Sequence, residues 1–169
     1  KISLLIDGDY PVGNKKNARI KAYYNELIKL GWDCKIVVLF PTRFQDDRKA
    51  EIEDLIYLGN EFQYQQNRRS RYFQIIRGIW YSLVYVSKLE KMDFVYFYNP
   101  TFFSSIYALV FTRLRGLKIV VDQTEIYSLE RNRILNKMAE YLTAKLVTIL
   151  LAISSNIEQY FKSLGARRI

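Results

Sequence analysis

The chain has 169 residues, 50% of them hydrophobic and 25% charged, with 7 glycines and 3 prolines. This composition fits one ordinary globular domain and excludes a disordered or fibrous chain. Lys plus Arg number 26 against 17 Asp plus Glu, a net charge of +9 with no histidine, so histidine acid–base catalysis and histidine-ligated zinc are excluded and an anionic partner is favoured.

The charge does not choose among phospholipid, nucleic acid and a phosphorylated small molecule. The lone cysteine, Cys34, excludes an intrachain disulfide and agrees with a reducing cytoplasm. No apolar run reaches the ~18 residues that would span a bilayer.

In chain order, Ile2 to Ile6 reads as a short strand. It ends in Asp7-Gly8-Asp9-Tyr10-Pro11-Val12-Gly13, a loop rich in breakers. Lys15 to Leu30 has helical spacing, with Ile20, Tyr23, Tyr24, Leu27, Ile28 and Leu30 as its expected buried stripe, and Gly31 follows where a helix ends. Lys35 to Phe40 is a second strand, stopped by Pro41. Strand, helix and strand make one β-α-β unit.

Thr42 to Leu58 suggests a short helix with Ile52, Leu55, Ile56 and Leu58 on one edge, and Glu61 to Gln65 a weak third strand. Asn67 to Lys91 reads as a long helix. Its apolar face runs through Tyr72, Ile76, Ile79, Leu83 and Val86, widened by Phe73, Trp80 and Val84. Asp93 to Tyr98 is the fourth strand. Asn99-Pro100-Thr101 then opens a helix that runs to about Arg115.

The fifth strand carries the most chemistry. In Leu117 to Tyr127, LKIVVDQTEIY, an apolar run breaks abruptly into Asp122-Gln123-Thr124-Glu125. A strand buried on both faces and followed by a polar loop reads this way. In open α/β sheets, working residues sit past the carboxyl ends of such strands. Asp122 and Glu125 therefore stand where a ligand would lie. A solvated loop that caps the next helix explains the same residues.

Glu130 to Lys145 returns to helical spacing through Ile134, Leu135, Met138, Tyr141 and Leu142. Leu146 to Ile153 is an apolar run read as the sixth strand, and a buried helix end has the same pattern. Ser155-Asn156-Ile157-Glu158 matches a capping box and starts a last helix that stops near Gly165. The expected class is α/β: a Rossmann-like, doubly wound parallel sheet with helices on both faces, in a single domain.

The first loop fails both phosphate motifs. It lacks the third glycine of a dinucleotide loop, and Gly13-Asn14-Lys15-Lys16 is not a Walker ending. It still feeds a helix N-terminus beside Lys15, Lys16 and Arg19, a combination able to hold an anion. A plain strand-to-helix turn is the other reading. Further on, Arg68, Arg69, Arg71 and Arg77 mix with Tyr72, Phe73 and Trp80. Such a face suits an anionic membrane surface, and a solvated charged face explains it too. Single-stranded nucleic acid fits less well, since no nucleic-acid motif is present. Asn99 and Ser154 lie on the presumed ligand edge, where helix capping also accounts for them.

Four features in order resemble a known family. They are the Pro11/Gly13 loop leading to Asn17-Ala18-Arg19 and Gly31-Trp32; Tyr98-Asn99-Pro100; Val121-Asp122-Gln123-Thr124-Glu125-Ile126-Tyr127; and Ala152 to Phe161 ending at Gly165. Together they resemble the N-terminal domain of a retaining, GT-B-fold glycosyltransferase of family four. The resemblance covers nearly the whole chain. It implies an acceptor-binding domain over residues 1–169, the nucleotide-sugar-binding C-terminal domain being absent, and hence no turnover by this chain alone.

The resemblance further implies that Pro11 and Gly13 lie beside the donor phosphates. It places Asp122 and Glu125 in the acceptor pocket as catalytic candidates, with Arg19, Asn99 and Ser154 binding the acceptor. The expected partners are a nucleotide-sugar donor, a lipid-linked or saccharide acceptor and an anionic membrane surface, with no nucleic acid. No cofactor and no metal is implied. The setting is cytoplasmic, peripheral on the inner face of the cell membrane. Many members have paired glycines in the first loop and a histidine in the fifth. This chain has Val12-Gly13 and no histidine. The alternative is a non-enzymatic Rossmann-like module that binds a phosphorylated ligand, a membrane or a partner protein.

Overall fold

The computed structural model describes residues 1–7, 15–40, 55–58, 68–90, 94–102, 105–129 and 133–169. The strands are β1 (Ile2–Asp7), β2 (Cys34–Phe40), β3 (Leu55–Tyr57), β4 (Phe94–Tyr98), β5 (Lys118–Gln123) and β6 (Ile149–Ala152). The helices are α1 (Lys15–Lys29), α2 (Arg68–Ser87), α3 (Ile106–Leu114), α4 (Arg133–Leu146) and α5 (Ser155–Ser163), with a 3-10 turn at Tyr127–Leu129. The strands form one sheet in the order β3-β2-β1-β4-β5-β6, and every pairing is parallel. The expected class is therefore the observed one, with five α-helices among the described residues.

Side chains alternate across each strand, so neighbouring residues serve opposite faces. Leu4, Ile6, Ile36, Val38 and Tyr96 pack under Ile20 of α1. Leu5, Val37, Phe97, Val121 and Leu150 face the other way, with Leu109, Ala139 and Phe161 from α3, α4 and α5. The strand order reverses direction between β1 and β4. Right-handed crossovers then send α1 to one face and α2, α3 and α4 to the other.

Among the described residues α1 is the only helix on its face. An open apolar groove of about 340 Å³ lies beside it, over Leu4, Leu27, Trp32, Phe94, Val120 and Leu151. Three helices end at a glycine-bearing turn: Gly31, Gly116 and Gly165 have φ of 80°, 74° and 96°, a region that a Cβ would penalise.

Several elements differ from expectation, each for a local reason. Leu55–Tyr57 is the edge strand β3, not part of a helix, because its backbone pairs in parallel with Ile36–Val38. The third strand expected at 61–65 and the rest of that helix, 42–54, lie outside the described residues. β5 runs on through Gln123, so Asp122 is a strand residue paired with Tyr98 and Leu151 rather than a loop residue. Helix α3 starts at Ile106, not beside Pro100, with Ser105 at its N-cap. The cap of α5 is Ser154, one residue before the expected capping box.

Two helices are rotated from the expected face. Among the described side chains of α2 the buried positions are Gly78, Ser82 and, as expected, Val86, while Phe73 and Trp80 are 68% and 64% exposed and Ile76 faces outward with them. On α4 Ala139, Glu140, Thr143 and Ala144 are buried, and Ile134, Met138 and Tyr141 are exposed. Small residues let these helices approach their neighbours closely, and hydrophobic spacing alone does not register that.

Candidate ligand site at the carboxyl rim of the sheet

Parallel strands leave all their carboxyl ends on one edge. The carboxyl ends of β1, β4, β5 and β6 therefore share that edge, and open α/β sheets bind ligands where the strand order reverses, here between β1 and β4. Two linked clusters occupy this rim.

The first is built on Asp122. Its side chain is fully buried, between β4 and β6. Oδ2 accepts from the Tyr96 hydroxyl at 2.8 Å and forms an ion pair with Arg19, 2.9 Å from Nε. Oδ1 is buried without a hydrogen-bond partner among the described residues. Arg19 comes from the second turn of α1, and its Nε also donates to the Tyr23 hydroxyl at 3.1 Å, with the guanidinium 5.6 Å from the Tyr23 ring centroid. Tyr23 in turn meets the Tyr96 ring edge-on at 5.8 Å.

A buried charge is tolerated only when paired. Burial pushes the Asp122 carboxyl above its ordinary range, while the Tyr96 hydroxyl, the Arg19 charge and the Tyr23 hydroxyl oppose that rise. Burial also works to lower Arg19, but its bond to Tyr23 and the Asp122 charge outweigh this and raise it. Tyr96 is pushed well above the usual phenol value, by burial first and by the neighbouring Asp122 charge next, so it remains a donor.

The second cluster ties β4 to the chain leaving β5. Asn99 has φ of 43°, in the left-handed region that asparagine tolerates better than most residues. Asn99 N donates to Asp122 O at 2.9 Å. Asn99 Nδ2 donates to Thr124 Oγ1 at 2.6 Å, and Thr124 N donates back to Asn99 Oδ1 at 2.7 Å. The Tyr98 hydroxyl lies 3.3 Å from Thr124 Oγ1. Gln123 Nε2 donates to Glu125 O at 2.6 Å and turns the chain out of the sheet. Glu125 is exposed. Tyr127 is raised above its ordinary value by burial and then by the Glu125 charge.

Behind this loop, Glu140 of α4 is buried and accepts from Ser128 N at 3.0 Å and from the Tyr160 hydroxyl at 2.7 Å. That carboxylate joins the 3-10 turn, α4 and α5 into one support for the rim. Burial raises Tyr160 as well, and its bond to Ser128 opposes this.

The rim thus brings Arg19, Asn99 and Asp122 together, with Glu125 at its outer side. Ser154 follows β6, where its hydroxyl accepts from Ile157 N at 3.4 Å and caps α5. Pro11 and Gly13 lie outside the described residues. Lys15 and Lys16 occupy the first turn of α1, and Arg68, Arg69 and Arg71 the first turn of α2. Arg77 is exposed and donates to the Tyr81 hydroxyl one turn on, at 3.0 and 2.9 Å. Sequence reasoning missed Tyr96, one of several aromatics in the fourth strand, and Glu140, which sits inside an apolar helical stretch. It noted Thr124 without a role. Their partners are 26, 20 and 25 positions away, so no local pattern announces them. Among the described residues no group of three or more Cys, Asp or Glu is placed to hold a metal ion.

No family model matches the chain, and no curated protein matches it. Solved structures do. UDP-GlcNAc 2-epimerase from Methanocaldococcus jannaschii superposes on 99% of the chain with a TM-score of 0.66 at 15% identity, and the match covers 43% of that protein. MurG of Acinetobacter baumannii matches 93% of the chain with a TM-score of 0.55 at 10% identity, over 42% of its own length. The fold is a Rossmann-like half of the GT-B kind. At these identities the likeness concerns the fold alone, and the chain spans less than half the length of either neighbour.

Proposed function

We propose that this chain is the acceptor-binding half of a glycosyltransferase that moves a sugar from a nucleotide-sugar donor to a lipid-linked or saccharide acceptor with retention. The observation that carries the reading is the rim: an ion-paired arginine, a left-handed asparagine and an exposed carboxylate meet at the strand-order reversal, where open α/β sheets bind ligands. A structural neighbour named for UDP-GlcNAc supports a sugar nucleotide as one substrate. The donor would be held by a second domain, with Pro11 and Gly13 meeting its phosphates.

In this reading Glu125 is the carboxylate that meets the acceptor, and Arg19, Asn99 and Ser154 line the acceptor's side. Asp122 serves the site from beneath it. The protein's contribution is positioning and electrostatics, which suits a transfer assisted by the departing phosphate. The exposed Phe73, Ile76, Trp80 and Arg77 on α2 would dock the enzyme on an anionic membrane, its helix start supplying Arg68, Arg69 and Arg71. No helix among the described residues is long and apolar enough to cross a bilayer.

The test is release of nucleoside diphosphate from UDP-GlcNAc, UDP-glucose and GDP-mannose, with prenyl-diphosphate-linked sugars as acceptors. The gene's full product is expected to turn over only when acceptor is present, and residues 1–169 alone are expected to be inactive. Robust transfer by residues 1–169 would contradict the division of labour. The higher TM-score of the epimerase favours a second reading, an isomerase acting on the sugar nucleotide. It predicts a new sugar nucleotide formed with acceptor omitted.

A further inference from the structure

We infer that Asp122 is a positioning residue: it holds Arg19 by Nε so that the guanidinium tip faces an anionic oxygen pair of the substrate. The inference rests on the sugar-transfer reading and adds the group that recognises charge at the rim. Three observations carry it. Asp122 has no exposed surface and sits inside the sheet between two paired neighbours, so no substrate reaches it. Its Oδ2 is engaged twice, by the Tyr96 hydroxyl that donates to it and by the ion pair with Arg19. Arg19, by contrast, has 29% of its side chain exposed, and among the described residues its polar contacts run through Nε, to Asp122 and Tyr23.

A guanidinium has five donors in a planar fork. With Nε engaged at the buried end, both Nη groups are without a partner among the described residues, and the guanidinium carbon lies 5.6 Å from the Tyr23 ring centroid. Such a fork matches phosphate or carboxylate oxygens two at a time. The chain's net charge of +9 favours an anionic ligand. In the sugar-transfer reading that ligand is a phosphate or diphosphate. It has two sources in this reading, the sugar nucleotide and a phosphorylated acceptor.

The experiment follows the Arg19 side-chain Nε–Hε signal by NMR in the 169-residue chain while inorganic pyrophosphate is added. Pyrophosphate is expected to shift that signal saturably. Asp122→Asn is expected to weaken binding about tenfold, and Arg19→Lys, which keeps charge and loses the fork, by a similar factor. The decisive comparison is a double-mutant cycle: with Arg19→Gln already present, Asp122→Asn should change affinity less than twofold. Equal losses from Asp122→Asn in both backgrounds, an unmoved Arg19 signal, or wild-type affinity in Arg19→Lys would each overturn the inference. The first and last of these use different variants, so a failure of Asp122→Asn to fold leaves the idea open to refutation.

UDP and geranyl diphosphate then separate the sources: dependence on Arg19 for UDP assigns it to the donor, and for geranyl diphosphate to the acceptor. Sugar transfer that survives Arg19→Gln leaves the transferase reading intact and removes this one. Pyrophosphate held at Arg19 by a protein that transfers no sugar does the reverse.

Discussion

Asn99 shows how much one residue can hold in place. It pays the strain of a positive φ and returns two side-chain hydrogen bonds to Thr124 across the rim. Asn99→Ala keeps the strain and loses both bonds, so about 2–3 kcal/mol of stability should go. Asn99→Gly loses the bonds but relaxes the backbone, and should cost clearly less. Urea unfolding of the two variants checks the order; an alanine variant as stable as the glycine variant would contradict it. Asp122 teaches a related point. As a residue type in LKIVVDQTEIY it was legible as important, but its depth was not. A strand longer by two residues moved it from a solvated loop into the sheet.

At the scale of elements, α2 is the clearest case of a helix whose exterior is more apolar than its spacing suggests. Gly78 and Ser82 lie on its buried side, and Phe73, Ile76 and Trp80 face outward. A Phe73→Ser/Trp80→Ser double variant should alter stability by only about 0.5 kcal/mol, as exposed substitutions do. The same variant should lose most of its sedimentation with anionic vesicles at low salt. Equal indifference of the wild-type chain to anionic and neutral vesicles would sink the membrane role of this helix. Helix α5 is simpler: Ser154→Ala removes its one side-chain cap and should cost about 1 kcal/mol.

For the whole molecule, the buried phenols set the response to alkali. Tyr96, Tyr127 and Tyr160 are all raised above their ordinary value, chiefly by burial. A raised value means that the folded state keeps its proton after the unfolded chain has lost it. The stability this contributes is complete below about pH 10 and drains away as pH climbs from there toward the folded value. Tyr96 alone should impose a loss of about 1.4 kcal/mol per pH unit in that range. Urea midpoints at pH 9 to 12 measure it, and Tyr96→Phe should make the decline shallower by that amount. A decline equally steep in both proteins would remove Tyr96 as its cause.

The alternation of strand and helix, the parallel sheet and the helix ends at Gly31, Gly116 and Gly165 were all determined by the sequence itself, because buried runs, helical spacing and glycine punctuation act over a few residues. The third strand was not. Leu55–Tyr57 is too short to show a period, and its pairing with β2 decides its state. The site was legible only in part. Asp122 and Asn99 were singled out by type and by their places near strand ends, and Arg19 by its charge near a helix start and by the family resemblance. The bonds that give them roles run to Tyr96, Tyr23 and Thr124, and two of the three cross from one strand or helix to another. Hydrogen bonding and burial at the rim depend on which strands lie side by side. Strand order is a property of the assembled sheet, so only the tertiary structure decided which carboxylate is buried, which arginine it holds and which aromatics face outward.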